Sequence, residues 1–142
     1  GVKVIEFNAR FGDPETEVVL PLLESDAYDV FYGIATGQLS TVNCQLSWRN
    51  EATIGVVLAS KGYPGSYAKG AVIEGTEQFD GPIFHMGTKN DNGVLKTNGG
   101  RVMMCIATGK DIATAREKVY KEIEKIHCDN LFYRKDIAHW AL

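Results

Sequence analysis

The chain has 142 residues, a net charge of −3, 44% apolar and 23% charged residues, values of a soluble globular protein of one domain, or one and a fraction, that can bury a core. The charge balance leaves no electrostatic footprint for nucleic acid or an anionic membrane, and no apolar run approaches a membrane span. Cys44, Cys105 and Cys128 form no CxxC pair, and His85, His127 and His139 lack ligand spacing, so reduced, buried thiols of a cytosolic protein and structural or surface imidazoles are expected.

Val2 to Glu17, VKVIEFNARFGDPETE, reads as a strand, a tight loop and the start of a helix. The sequence opens at Gly1 directly on the strand pattern, with no leader, as if cut from something longer. Alternation puts Glu6 and Asn8 on one face while Val4, Ile5 and Phe7 can pack. Two residues apart in a strand is roughly 6.6 Å between Cα atoms. That spacing suits two oxygen ligands converging on Mg²⁺ or Mn²⁺, with positions left for phosphates. Arg10 falls one step further along the same face, where its fork could hold a phosphate or acyl-phosphate oxygen. The three polar residues equally fit the solvated side of a half-buried strand, with Arg10 pairing Glu6. Gly12 permits a sharp turn, Asp13 can cap, and Pro14 suits a first helical position.

Glu15 to Leu23 reads as a helix with acidic residues at its start, interrupted at Pro21. Asp26 caps a second helix, Ala27 to Thr36, closed by Gly37 and packing through Val30, Phe31 and Ile34. Gln38 to Asn43 is polar and helix-poor, and a domain boundary is placed there, dividing residues 1–38 from 39–142. Strands and glycine turns follow: Cys44 to Trp48, then Ala52 to Ala59, a Tyr-Pro-Gly turn within KGYPGSYAKG, and a short strand at Ala71 to Ile73. Pro82 to Thr88 and Val94 to Thr97 flank Asn90-Asp91-Asn92-Gly93, a hairpin signal. Asn98-Gly99-Gly100-Arg101 turns into the buried strand Val102 to Ala107.

The clearest helix opens at Lys110 or Asp111 and runs to about His127, with Ile112, Ala115, Val119, Ile123 and Ile126 on one side. Its opposite face is charged and solvated, with Glu117 and Lys121 as an i,i+4 pair. The tail NLFYRKDIAHWAL reads as docked. The expected class is therefore α+β, with a mainly antiparallel sheet and one long helix in the second part.

Four strings carry a resemblance: EFNARFGDPETEVVLP, VVLASKGYPGSYAKG, FHMGT followed by TNGGRV, and YRKDIA. In this order and spacing the chain closely resembles the C-terminal portion of the phosphoribosylamine–glycine ligases, also called glycinamide ribonucleotide synthetases. The first string is shared loosely with other ATP-grasp enzymes; the set of four belongs to this family. The resemblance implies that residues 1–38 are the last strand and helices of an ATP-grasp domain, and 39–142 the family's C-terminal domain. It implies a cytoplasmic enzyme of purine biosynthesis that joins glycine to 5-phosphoribosylamine with ATP through glycyl phosphate. The chain alone is then expected to be silent without the N-terminal part of the same enzyme. Glu6 and Asn8 match the family's metal ligands. From these positions Arg10 is assigned to the transferred phosphoryl or acyl phosphate, and Asp13, with Glu15, to ordering the loop or orienting the amine. Gly99, Gly100 and Arg101 offer backbone amides and a guanidinium for the ribose phosphate, with Lys69 as a point charge; tight turns and solvated cations explain the same residues. Ala138, His139 and Trp140 depart from the family's usual tail. Another ATP-grasp ligase or carboxylase, or a docking module without catalysis, are the alternative readings.

Overall fold

The structure, a computed structural model, describes residues 1–38 and 46–142. The boundary expected near Gln38 and the start of the strand expected at Cys44 fall on residues 39–45, outside the described residues.

In chain order the elements are α1 (Thr16–Val19), α2 (Ala27–Ala35), β1 (Ala52–Ser60), β2 (Ile83–His85), β3 (Thr88–Asp91), β4 (Val94–Thr97), β5 (Arg101–Gly109), α3 (Ile112–Ile123) and β6 (Leu131–Phe132). The fold is a mixture of helix and antiparallel sheet, as the sequence pattern requires. Its centre is the pair β1–β5, two runs rich in apolar and β-branched residues that align antiparallel from Ala52 opposite Gly109 to Ala59 opposite Arg101. β2 adds to the outer side of β5 and β6 to the outer side of β1, giving the order β2-β5-β1-β6.

Alternation divides this sheet into two faces. Ile54, Val56, Leu58, Met103 and Cys105 share the core with Ala115, Val119 and Ile123 of α3. The three helical residues recur every fourth position and are at most 2% exposed, the spacing that puts them on one side of a helix. Burying each apolar side chain of the Val or Ile class contributes about 1.5–3 kcal/mol. The other face carries Gly55, Met104 and Ile106, and α1 lies over it: a Cβ on Gly55 would meet Met104 Cε and Val18 Cγ1. Burial pushes the Cys105 thiol up to about 12, so it is a neutral core group.

The Asn92-Gly93 turn forms as expected. Both residues have positive φ, 53° and 87°, which is what a two-residue hairpin of this hand demands. Asp111 caps α3 by accepting from Thr114 N at 2.8 Å, and Asp26 caps α2 by accepting from Tyr28 N at 2.7 Å. The tail docks through α3. Arg116 donates from Nε and Nη2 to the carbonyls of Ile137 and Lys135, each at 2.8 Å. Tyr120 Oη donates to Arg134 O at 2.7 Å. Beyond it Trp140 is 94% exposed.

Several expectations change. The strand at Val2 to Phe7 does not form: residues 1–9 have no regular secondary structure, with Ile5 97% and Phe7 91% exposed. A strand needs a neighbour to pair with, and among the described residues none lies beside this segment. The first helix is a single turn, and Leu20–Leu22, which holds Pro21, is a 3₁₀ turn. On α2, Val30 is buried but Phe31 and Ile34 are exposed, because the rest of the described chain does not cover that side. Ala71 to Ile73 makes one bridge, Val72 to Lys96, and Trp48 one bridge to Leu23. Gly87 separates Pro82 to Thr88 into β2 and the start of β3. α3 stops at Ile123, short of His127. Among the described residues no helix is long and apolar enough to cross a membrane.

Candidate functional site

Asp13 and Arg101, 88 residues apart, meet face to face: Nη1 and Nη2 of Arg101 donate to Oδ1 and Oδ2 of Asp13 at 2.7 and 2.8 Å. The fold places them so. Arg101 is the first residue of β5, and Asp13 precedes α1, which packs on the sheet face that β5 helps build. Paired forks of this kind fix orientation as well as charge. Its hydrogen bonds to Asp13 hold the pKa of the Arg101 guanidinium above its ordinary value.

The pair stands in a cleft of about 530 Å³ that also includes Glu17, His85, Thr88, Asn98, Gly99 and Gly100. A second hollow, about 650 Å³, shares Asp13 and Glu17 and continues past Arg10, Phe11, Gly12 and Phe84. Asp13 and Glu17 thus form a wall common to both. Oε2 of Glu17 is withdrawn from solvent and has no hydrogen-bond partner among the described residues.

The Asn98–Arg101 turn is fixed by close backbone packing. Asn98 N donates to Gly87 O at 2.7 Å, and a Cβ on Gly99 would come within 2.9 Å of Gly87 Cα. Ser60, fully buried at the end of β1, donates from Oγ to Gly99 O and from N to Gly100 O, both at 2.8 Å. A Cβ on Gly100 would strike the Tyr63 ring at 2.2 Å. Packing therefore demands both glycines whether or not a ligand uses their amides.

The structure brings Asp13, Gly99, Gly100 and Arg101 into one cleft and puts Arg10 in the adjoining hollow. Arg10 there donates to Phe11 O at 2.7 Å. Asp13 does not cap α1; Glu15 occupies the N-cap position and gives no side-chain cap bond. Lys69 is exposed and does not line the cleft. Glu6 and Asn8 are exposed on the segment without regular structure. The pleat that would aim them at one cation is therefore not formed in this chain by itself. A carboxylate and a carboxamide oxygen remain a donor set that suits Mg²⁺ or Mn²⁺. Among the described residues no group of three or more His, Cys, Asp or Glu converges as a metal site.

Sequence reasoning missed Glu17, Ser60, Tyr63 and His85. Glu17 lies four residues after Asp13, one helical turn, which was the available signal. Ser60 and Tyr63 act on the backbone of the turn, which residue type does not announce. His85 Nδ1 lies 3.0 Å from Thr88 Oγ1.

Residues 53–140 match the family described as phosphoribosylglycinamide synthetase, C domain. A phosphoribosylamine–glycine ligase of Halalkalibacterium halodurans is 51% identical over 100% of this chain and 33% of its own length. The namesake of Caldanaerobacter subterraneus is 46% identical over 97% of this chain and 33% of its own length. A bifunctional purine biosynthetic protein of Schizosaccharomyces pombe is 42% identical over 100% of this chain and 18% of its own length. Among solved structures, the phosphoribosylamine–glycine ligase of Thermotoga maritima superposes with a TM-score of 0.76 at 38% identity, over 95% of this chain and 33% of that one. The chain spans about a third of the length of these ligases.

Proposed function

The chain belongs to the phosphoribosylglycinamide synthetase, or phosphoribosylamine–glycine ligase, family, and from that premise we propose that it works as one portion of an ATP-dependent carbon–nitrogen ligase. The observation that supports this most directly is the cleft in which Asp13 grips Arg101 beside the Gly99-Gly100 turn. It joins two of the four strings whose set carries the resemblance to the family.

In the proposed reaction the γ-phosphoryl of ATP passes to a carboxylate oxygen of glycine, giving glycyl phosphate and ADP. The amine of 5-phosphoribosylamine attacks the acyl carbon, the C–N bond forms, phosphate leaves and the nitrogen loses a proton. Arg10 steadies the phosphoryl group as it moves. Asp13 orients the amine and keeps Arg101 in place. Gly99, Gly100 and Arg101 receive the ribose phosphate, with Lys69 as a point charge. Glu6 and Asn8 would hold Mg²⁺ or Mn²⁺, which neutralises phosphate charge on ATP.

The partner in this reading is the remainder of a ligase of the relatives' length. Residues 1–38 complete its ATP-grasp domain, 39–142 form the closing domain, and the whole works in the cytoplasm. The paired strand neighbour missing for Val2–Phe7 and the uncovered face of α2 are what such a remainder would supply.

The test is ADP release that depends on both glycine and phosphoribosylamine. It is run on this chain alone, then with the other two-thirds of a ligase added in trans. Activity only after addition is expected, and Glu6→Gln or Asn8→Ala should remove it. Wild-type turnover with both substitutions would sink the metal assignment. No turnover from a combination shown to associate would sink the ligase reading.

A further inference from the structure

Attack of an amine on an acyl phosphate releases a proton from nitrogen, and a positioned base speeds that step. His85 stands where such a base is needed. It lines the cleft that holds Asp13 and Arg101, and it is the sole imidazole there among the described residues. The carboxylates of the cleft are less free. Both oxygens of Asp13 are engaged by Arg101, and Oε2 of Glu17 is withdrawn from solvent. His85 is exposed, so a substrate can reach its ring.

The fold fixes both the backbone and the ring. His85 ends β2, opposite Met103 of β5. Met86 N and Gly87 N then donate to Val102 O at 3.0 and 2.8 Å, which ties the turn after His85 to the strand that begins at Arg101. A Cβ on Gly87 would come within 2.7 Å of Gly99 N or Cα, so this turn and the glycine–arginine turn are in contact. The ring is held by Thr88, whose Oγ1 lies 3.0 Å from Nδ1. A neutral ring that gives its Nδ1 proton to Thr88 keeps a lone pair on Nε2. Imidazole is the side chain that takes up and returns protons near neutral pH, which suits it to general-base work.

We propose that His85 is a further catalytic residue, the base that receives the proton of the attacking amine. Nε2 takes that proton as the C–N bond forms. The C–O bond to phosphate breaks, its electron pair leaves with the phosphate, and the imidazolium returns its proton to solvent. This rests on the ligase reading, in which Asp13 orients the amine in the same cleft, and it adds the proton acceptor that the reaction requires.

The test uses a full-length ligase that carries this chain, with kcat and KM measured for phosphoribosylamine. His85→Ala should lower kcat about a hundredfold, the scale of a lost general base, with little change in KM. Added imidazole should restore part of the loss in proportion to its concentration, since the place of the ring is open to solvent. His85→Asn, which can still hydrogen-bond Thr88 but takes no proton, should be as slow as the alanine variant. His139→Ala, on the tail, should keep the parent rate. An unchanged kcat in His85→Ala overturns the proposal, as does a raised KM at constant kcat, which would mark a binding role. Recovery in His85→Asn overturns it too, because the ring would then serve structure alone. A loss of kcat that imidazole leaves untouched has the same consequence. In each of these cases the ligase reading stands. A parent protein without turnover sinks that reading and this base with it.

Discussion

At the scale of single residues, two carboxylates show how environment sets what a charge contributes. Asp13 and Arg101 are about half and a third exposed, 48% and 35%, so solvent screens them, but their bidentate geometry places them at the upper end of surface pairs. A double-mutant cycle with Asp13→Asn and Arg101→Lys should return a coupling of about 0.5–1 kcal/mol in urea unfolding. A coupling near zero would show that the pair does not hold the cleft together. Glu122 is different: 8% exposed on α3, it accepts from Lys125 Nζ and from Asp80 N. The Lys125 ammonium first, and the Asp80 amide second, hold its carboxyl below the ordinary glutamate value of 4.5. A depressed folded value means stability that is present above the ordinary value and lost as pH falls through the lowered one. Glu122→Gln should therefore lower the unfolding midpoint at neutral pH and flatten the decline below about pH 4.5. It should not abolish that decline, since Asp111 and Asp136 are also held low, by Thr114 and Arg134. An acid limb as steep as the parent's would exclude Glu122 as a contributor.

At the scale of elements, α3 depends on its cap. Asp111 satisfies Thr114 N, one of the donors a helix start leaves open. Asp111→Ala should lower the unfolding midpoint measurably, while Asp111→Ser should recover most of the loss. If the alanine variant were as stable as the parent, the cap would be incidental. This helix, the β1–β5 pair and the Asn92-Gly93 hairpin were legible from the sequence because each carries its own instruction: a fourfold spacing of Ala115, Val119 and Ile123, an unbroken apolar run, a turn that needs two positive φ angles. The segment Val2–Phe7 and the apolar side of α2 were misjudged for the opposite reason. Their patterns state that a face is apolar, not which chain covers it, and the described residues do not. The candidate site was half legible. Asp13, Gly99, Gly100 and Arg101 stood out as motif residues, but that Asp13 would pair with Arg101 across 88 positions is a fact of topology. Ser60 and Tyr63 gave no signal because they hold the turn through its carbonyl oxygens and through close packing against a bare glycine backbone.

At the scale of the whole molecule, protection follows pairing. β5 is bonded on both sides, to β1 and β2, and Val102 to Ala107 are at most 3% exposed. Opening it means separating the sheet from α3, which amounts to unfolding the domain. The β3–β4 hairpin is a two-stranded sheet whose residues are half-buried or exposed apart from the buried Thr97 at its end, the kind of unit that opens locally. Residues 1–9 have neither pairing nor burial, although they hold Val2, Val4, Ile5 and Phe7. Hydrogen exchange on this chain should therefore rank in three steps. Amides of β5 and the centre of β1 come last, exchanging only on global opening. Those of β3 and β4 come earlier, and those of residues 2–9 exchange at the rate of unstructured peptide. The same ranking gives the apolar N-terminal segment its meaning. A row of large apolar side chains on unprotected backbone is strand material without a ladder, and pairing is the step that would bring Glu6 and Asn8 onto one face. Slow exchange at Ile5 and Phe7 in the isolated monomer would contradict this account, because it would require a pairing partner for the segment within the chain itself.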